Sequence, residues 1–579
     1  MRVIFWLAHA ILAATLIQGC SESSNSTTTS GISVDPAIVA TEVACITQYA
    51  ANSANNYVNY AAAIGAPEVT DSVHSGLQPC ATFMGSRTGN NQVALYKSPT
   101  QYPGGIQIVV QGGPNAAFLI GGTSGNPGTV TPANPLGSYV ARFNPLTGAQ
   151  VWLTSLPTPI GQWVVFPSMG VIADGSIVAA VGATLYRLNP DTGQIVAQVT
   201  QPILGGGNLV DANLDGFMLS PAVDSSILMK TQSRPNGCTT QGNYAMGSCA
   251  GTMPFTTVIA ANPNNLKNIA SLLLNETIGA RPAVVNHNGT IYMYLAALTT
   301  GLRVIWNPTT NTLTQDMTWS PSYLLAGETQ GAAPVVIGSW VMFSTNGKST
   351  PTTPACAALV SQDDPTLIRR ICPWGGVNAL SNAVTPNLSS VVPANFSADP
   401  ENGLIFMYDM VLGGVTAISL DQNTGALTTI WSRPDWKISD YLQSIGPANK
   451  RVLISQYIDQ SNFNNSDWSS YNYQESVMMV DQATGKTLAQ SALTSPTGQA
   501  WMITPGYGGL LYGLSVGAST ATVLAPGSLN ILQVASCNGS TDAPSIGSLY
   551  YGSLTNCATN YSTLPQPSYS PTALLIPQK

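Results

Sequence analysis

The stretch "DANLDG" at residues 211–216 has the metal-ligating spacing that stands out in this chain. Asp211, Asn213 and Asp215 alternate with non-ligands and Gly216 follows. They match positions 1, 3, 5 and 6 of a calcium loop, where oxygen ligands surround a hard cation and glycine makes the bend. Position 12 would be Ala222 instead of a bidentate glutamate, which leaves Asp224 as the acid near enough to help; the alternative is an Asx-rich turn. "GLSVG" at 513–517 matches the nucleophile-elbow pattern around Ser515. That chemistry needs a strand, a strained turn, a helix and a later histidine. Here both flanks read as strand and no histidine follows, so Ser515 is read as a strand residue. The three histidines are His9, His74 and His287, too few for a zinc site built on several, and neither HExxH nor CxxCH occurs. His287 in "VVNHNGTIY" reads as a hairpin residue, and Asp409 in "FMYDMVL" as a strand end and not as a general base. The insert "DQSNFNNSDWSSYNYQES" (459–476) holds Trp468, Tyr471 and Tyr473, whose flat faces suit a sugar ring or a protein partner.

The chain has nine cysteines, so at least one lies outside any intramolecular disulfide. Arg2 followed by an apolar run over 3–17 describes a secretory signal, and the run is short of the twenty or so residues of a membrane span. Ile17-Gln18-Gly19-Cys20 resembles the bacterial lipobox, which implies cleavage after residue 19, acylation of Cys20 and an anchored protein. Ser21 after the cysteine implies delivery to the outer membrane, on its periplasmic or outer side. Residues 20–34 then read as a tether rich in Ser, Thr and Asn. The other eight, Cys45, Cys80, Cys238, Cys249, Cys356, Cys372, Cys537 and Cys557, form four couples close in sequence, expected as neighbour disulfides in an exported chain.

The elements that must position these residues show in a repeat. "VARFNPLTGAQVW" (140–152), "LYRLNPDTGQIVA" (185–197), "VIWNPTTNTLTQ" (304–315), "AISLDQNTGALTTIW" (417–431) and "MMVDQATGKTLAQ" (478–490) share one shape, with weaker copies at 258–270 and 358–370. Each is a strand, an Asn or Asp, a short turn ending in Gly or Asn, and a second strand. The Asx side chain accepts from backbone N–H groups two residues on, and Gly or Asn supplies a positive φ. The anchors are Asn144, Asn189, Asn262, Asn307, Asp363, Asp421 and Asp481. Four short strands per repeat of 45 or so residues is the signature of a propeller blade. These copies resemble the PQQ-like repeats of quinoprotein dehydrogenases and of a propeller lipoprotein of the β-barrel assembly machinery. The fuller pattern of that family adds a Trp four residues after the Gly; Trp152 holds that place and Trp431 lies two beyond it.

The expectation is an all-β, seven- or eight-bladed propeller, eight favoured, with a short helical N-terminal segment. Its parts are a signal peptide (1–19), a lipidated tether (20–34), a helical segment (35–90), the propeller (91–535) and an irregular tail (536–579). Asp35-Pro36 reads as an N-cap with an N1 proline, and the Ala-rich run to Ile64, stopping at Gly65, is expected to be a helix or a helical pair. With 19 basic and 26 acidic residues in 579, only 8% charged, a nucleic-acid partner is excluded. The functional expectation is a non-catalytic, monomeric scaffold at the cell envelope, binding a protein or glycan. The resemblance implies an alternative, a dehydrogenase carrying PQQ and calcium over the central channel with an Asp base and a Trp floor. The vicinal cysteine pair common in alcohol-oxidising members is absent here. A third reading, a glycan-active enzyme, would need paired carboxylates at glycosidase separations in the funnel.

Overall fold

An Asx turn followed by a residue with positive φ forces two strands into register, and the chain repeats this device at intervals set by the blades. Asn189 Oδ1 accepts from the N–H groups of Asp191 (2.9 Å) and Thr192 (3.0 Å), and Gly193 follows at φ 71°. Asn144, Asn262, Asn307, Asp421 and Asp481 close their turns in the same way. In the remaining copy the anchor is Ser361, not Asp363: its hydroxyl accepts from the N–H groups of Asp363 and Asp364, both at 3.2 Å.

The computed structural model describes residues 34–52, 59–68, 71–89, 91–103, 106–122, 137–157, 168–206, 213–222, 224–278, less 234–254, then 280–347, 355–374, 396–409, 414–438, 441–458, 475–491, 503–516, 526–536 and 574–575. Eight antiparallel sheets form an eight-bladed β-propeller. Within each blade strands a to d run from the axis outward. Blade 1 is Ile106–Gly113, Ala116–Gly121, Tyr139–Phe143 and Gln150–Ser155; blade 2 is Ser168–Val171, Ile177–Val181, Thr184–Leu188 and Ile195–Thr200. Blade 3 begins at Asn213–Leu219, blade 4 at Ala283–His287, blade 5 at Val335–Ile337, blade 6 at Ser397–Asp399 and blade 7 at Gln443–Ile445. Blade 8 draws on both ends of the repeat region. Thr504–Pro505, Leu510–Val516 and Gly527–Ser536 supply strands a to c, and Asn91–Lys97 pairs along Gly527–Ser536 as strand d. The expected eighth blade is therefore closed by both ends of the propeller chain.

Neighbouring blades are fastened by the turns themselves. The indole N–H of Trp152 donates to Pro190 O (3.1 Å), that of Trp340 to Gln422 O (2.8 Å) and that of Trp431 to Gln482 O (2.9 Å), each the carbonyl just after an Asx anchor in the next blade. The same rings lie on the turn glycines. A Cβ on Gly193 would stand 2.6 Å from Trp152, and one on Gly485 2.7 Å from Trp431. The turn glycine is thus required twice, for its φ and for the indole of the preceding blade. Because a–b and c–d turns share one end of every blade, these short turns make up a turn end, and the b–c and d–a connections make up a loop end.

Among the described residues one helix, Pro36–Ala51, precedes the ring, with Asp35 capping it by accepting from Ala37 N at 2.8 Å. Its inner face buries Ile38, Ile46 and Ala50, and its one charged residue, Glu42, is buried too. Here the expectation of helix to Ile64 fails. Helix ends at Ala51 with Asn52 extended, and residues 59–64 are non-helical. The reason is competition: the backbone groups of this stretch pair with the ring.

Candidate functional site

Residues 59–68 and 71–84 run along the propeller axis, almost all of them buried. Every blade contributes a hydrogen bond to them. Gln111 N of blade 1 donates to Gly65 O (3.1 Å), Val171 N of blade 2 to Ala66 O (2.9 Å), and Leu219 N of blade 3 to the Tyr60 hydroxyl (3.0 Å). Val284 N of blade 4 donates to Ser72 O (2.7 Å), Val336 N of blade 5 to Val73 O (3.0 Å), Ala398 N of blade 6 to Ser75 O (2.7 Å) and Ser444 N of blade 7 to Gly76 O (2.8 Å). Ile64 N donates to the Tyr507 hydroxyl of blade 8 (3.2 Å). The chain enters and leaves from the turn end. Asn59 bonds Ala222 O in the a–b turn of blade 3, and Thr82 N donates to Glu42, which also accepts from Gly508 in the a–b turn of blade 8. The Cys45–Cys80 disulfide staples the helix to this base, closing a loop of 35 residues. In the chain-entropy model such a crosslink stabilises by about 3–4 kcal/mol.

The tip of this axial finger reaches toward the loop end. Glu68 pairs with Arg281, accepts from the Ser168 hydroxyl at 2.7 Å, and both side chains are over nine-tenths buried. Arg281 also donates to the Tyr441 hydroxyl (2.8 Å). Asp71 accepts from Val73 N (3.2 Å), Ser75 N (2.9 Å) and the Ser75 hydroxyl; burial outweighs these donors and pushes its carboxyl up to about 6. His74 donates from Nδ1 to Pro334 O at 3.0 Å, and burial, with Arg281 nearby, pushes its imidazole down to about 3. Burial likewise raises Glu42 to about 7 against the pull of the Gly508 and Thr82 donors. Asp71, His74 and Glu42 are thus side chains that lock backbone in place.

The candidate residues from sequence are scattered. Asp211 lies outside the described residues. Asn213 and Asp215 are on inner strand a of blade 3, at its loop end, whereas Asp224 sits in the a–b turn at the other end, accepting from Trp306 Nε1 (3.3 Å). The strand thus separates Asp224 from the other two. Among the described residues no group of three or more His, Cys, Asp or Glu is placed to hold a metal. His287 is a hairpin residue, as read, with Nε2 2.8 Å from Asp363 Oδ1. Asp409 is a buried strand end whose carboxylate accepts from Ala355 N (3.0 Å). Ser515 is on strand b of blade 8. Trp468, Tyr471 and Tyr473 fall outside the described residues, as do Cys20, Cys238, Cys249, Cys537 and Cys557. Cys45–Cys80 and Cys356–Cys372 pair as expected. None of the described helices is long and apolar enough to cross a membrane.

No family model and no curated protein matches the sequence. Among solved structures, a quinohemoprotein alcohol dehydrogenase from Comamonas testosteroni is 10% identical with a TM-score of 0.47, covering 86% of this chain and 84% of its own. Another from Pseudomonas putida HK5 is 10% identical at 0.48, covering 85% and 81%. The WD40 domain of SCAP from fission yeast is 7% identical at 0.38, covering 76% and 98%.

A quinone with its calcium on the axis would need open space and acids free to ligate. The axis between the blades holds the finger instead. A Cβ added at Gly76 alone would meet Leu442 O at 2.7 Å and Ser397 Cβ at 2.9 Å, and Glu68 and Asp71 are engaged by Arg281 and Ser75. The residues of the axis do not fit that group. No periodicity pointed to the finger; its one sequence signal was Cys80, whose coupling to Cys45 marked a segment fixed to the helix.

Proposed function

We propose that this chain is a non-catalytic β-propeller scaffold, anchored at the cell envelope through a lipid on Cys20, which binds a protein or glycan partner with the loops at its loop end. The observation that carries the reading is the finger. In a ring whose axis is filled by the protein's own backbone, the place where propellers commonly hold a small substrate is already taken, and recognition falls to the outer surfaces. Long connections on a rigid frame suit that task. The aromatic insert with Trp468, Tyr471 and Tyr473 follows strand b of blade 7, Val452–Ile458, in sequence and is the candidate for the contact.

The test separates this reading from a PQQ- and calcium-dependent dehydrogenase. Residues 21–579, made in an oxidising compartment, are titrated with PQQ and Ca²⁺ while absorbance and thermal unfolding are followed, with an artificial electron acceptor and a panel of alcohols and sugars. The expected result is no saturable quinone binding and no dye reduction. Saturable binding with turnover would overturn the scaffold.

A further inference from the structure

We infer that the molecule stands with its turn end toward the surface it is anchored to and its loop end outward; the inference rests on the lipid-anchor reading of Cys20. It follows from where the chain leaves the ring. Val34, the first described residue, packs on Gly508 in the a–b turn of blade 8, where an added Cβ would lie 2.6 Å from the Val34 Cβ. That exit is fixed twice more within a few residues. Glu42 accepts from Gly508 N (2.6 Å) and Thr82 N (3.0 Å), and Cys45 is bonded to Cys80 at the base of the finger. The exit therefore belongs to the rigid body, at the turn end and close to the axis.

Chain length does the rest. Cys20 and Val34 are 14 residues apart (34 − 20), which spans at most about 50 Å when fully extended. To reach a bilayer lying against the loop end, that chain would first pass outward under the strands of a blade, about 15–20 Å at the spacing of paired strands. It would then climb the blade, where a seven-residue strand such as Leu510–Val516 rises about 24 Å. The path consumes nearly the whole contour length and leaves a stretched chain with almost no conformational freedom. A bilayer at the turn end asks for none of this.

The experiment reads orientation with and without the native anchor. A donor fluorophore is placed at the turn end through Asp191→Cys, where the native side chain is 82% exposed, or at the loop end through Met317→Cys, where it is 77% exposed. Acceptors sit in the headgroups of phosphatidylcholine vesicles. One set of proteins carries the acylated native N-terminus. A second replaces residues 1–20 with a hexahistidine tag bound to nickel-chelating lipid. Since one strand height of about 24 Å separates the two ends, energy transfer from the 191 label should be at least about twofold that from the 317 label in both sets. Equal transfer, or more from the 317 label, overturns the orientation. A native chain that bears no lipid and stays off vesicles, beside a tagged chain that keeps the twofold order, removes the anchor reading and leaves the geometry standing.

Discussion

Each outer hairpin of the ring is closed by a side chain that serves backbone groups two or three residues away, whereas the axial finger is held by all eight blades, most of them far along the chain. Asn189 meets its partners at Asp191 and Thr192. Ser75 O, by contrast, accepts from Ala398, and Gly76 O from Ser444. The hairpins are solvent-facing and nearly self-sufficient, and a neighbour's tryptophan adds to them. The finger's own hydrogen bonds amount to a few tight turns, such as those Asp71 makes with Val73 and Ser75, and it carries buried charge. The difference teaches where damage should spread. A lost hairpin contact is repaired by water and stays local, while a lost finger contact leaves a buried group without a partner and loosens the hub that eight blades share.

The sharpest way to break this comparison is Arg281→Met. It leaves the Glu68 carboxylate, 4% exposed, without its cation, and removing one partner of a buried pair costs about 3–5 kcal/mol. A urea midpoint that drops accordingly, and that recovers in large part in the Glu68→Gln/Arg281→Met double variant, is the expected result. A loss under about 1 kcal/mol would mean that water reaches the tip and the axis is open.

That contrast also explains what could be read from the sequence. Strand–Asx–Gly–strand is a local rule, so "NPDTG" and "DQATG" announce their hairpins in the sequence itself, whereas the bonds of Trp152 and Trp431 to the next blade show only in the fold. Where the hydroxyl of Ser361 does an Asx side chain's work, the Asp expected as the anchor, Asp363, lies two residues past the true one. The finger follows no local rule. "NYAAAIGAPEVTDSVHSGLQ" has the composition of a helix followed by a loop, and the ring supplies the donors that hold its described residues out of a helix. Tertiary context overrode propensity at Ala61, Ala63 and Ile64, which are buried among the blades and not along a helix.

The second effect is a dependence on pH to which the finger and its latch contribute through Glu42, Asp71 and His74. Glu42 titrates near 7 when folded and near 4.5 when unfolded, so the unfolded chain gives up its proton first. Its contribution to stability is complete below about 4.5 and is lost as pH rises toward 7. Asp71, raised to about 6, acts in the same direction over a lower window. His74 opposes both: it stays neutral in the fold down to about 3, so the unfolded chain gains the proton first and stability falls as pH drops below about 6.5. From these three groups wild type should lose stability between pH 4.5 and about 6, where Glu42 and Asp71 together outweigh His74, and change less above that. The stability of Glu42→Gln relative to wild type should rise by about 2–3 kcal/mol over that range, read from urea titrations at successive pH values. A difference that does not change with pH would show that the latch carboxylate is solvated in the fold.

The smallest effect sharpens the other side. Asn189→Ala removes an acceptor for the N–H groups of Asp191 and Thr192, both exposed, so water takes over. By analogy with lost helix caps the cost is about 1 kcal/mol. Asn144→Ala does the same in blade 1, freeing Leu146 N and Thr147 N. The two turns have no side-chain partner in common, and the tryptophan between them, Trp152, bonds Pro190 O and not Asn189. Their costs should then add to within about 0.5 kcal/mol. Additivity would mark the hairpins as independent clasps on a ring whose unity comes from its axis. A double variant losing clearly more than the sum would mean that the Trp152 contact carries strain from one turn to the next, and that the ring is coupled around its rim as well as through its centre.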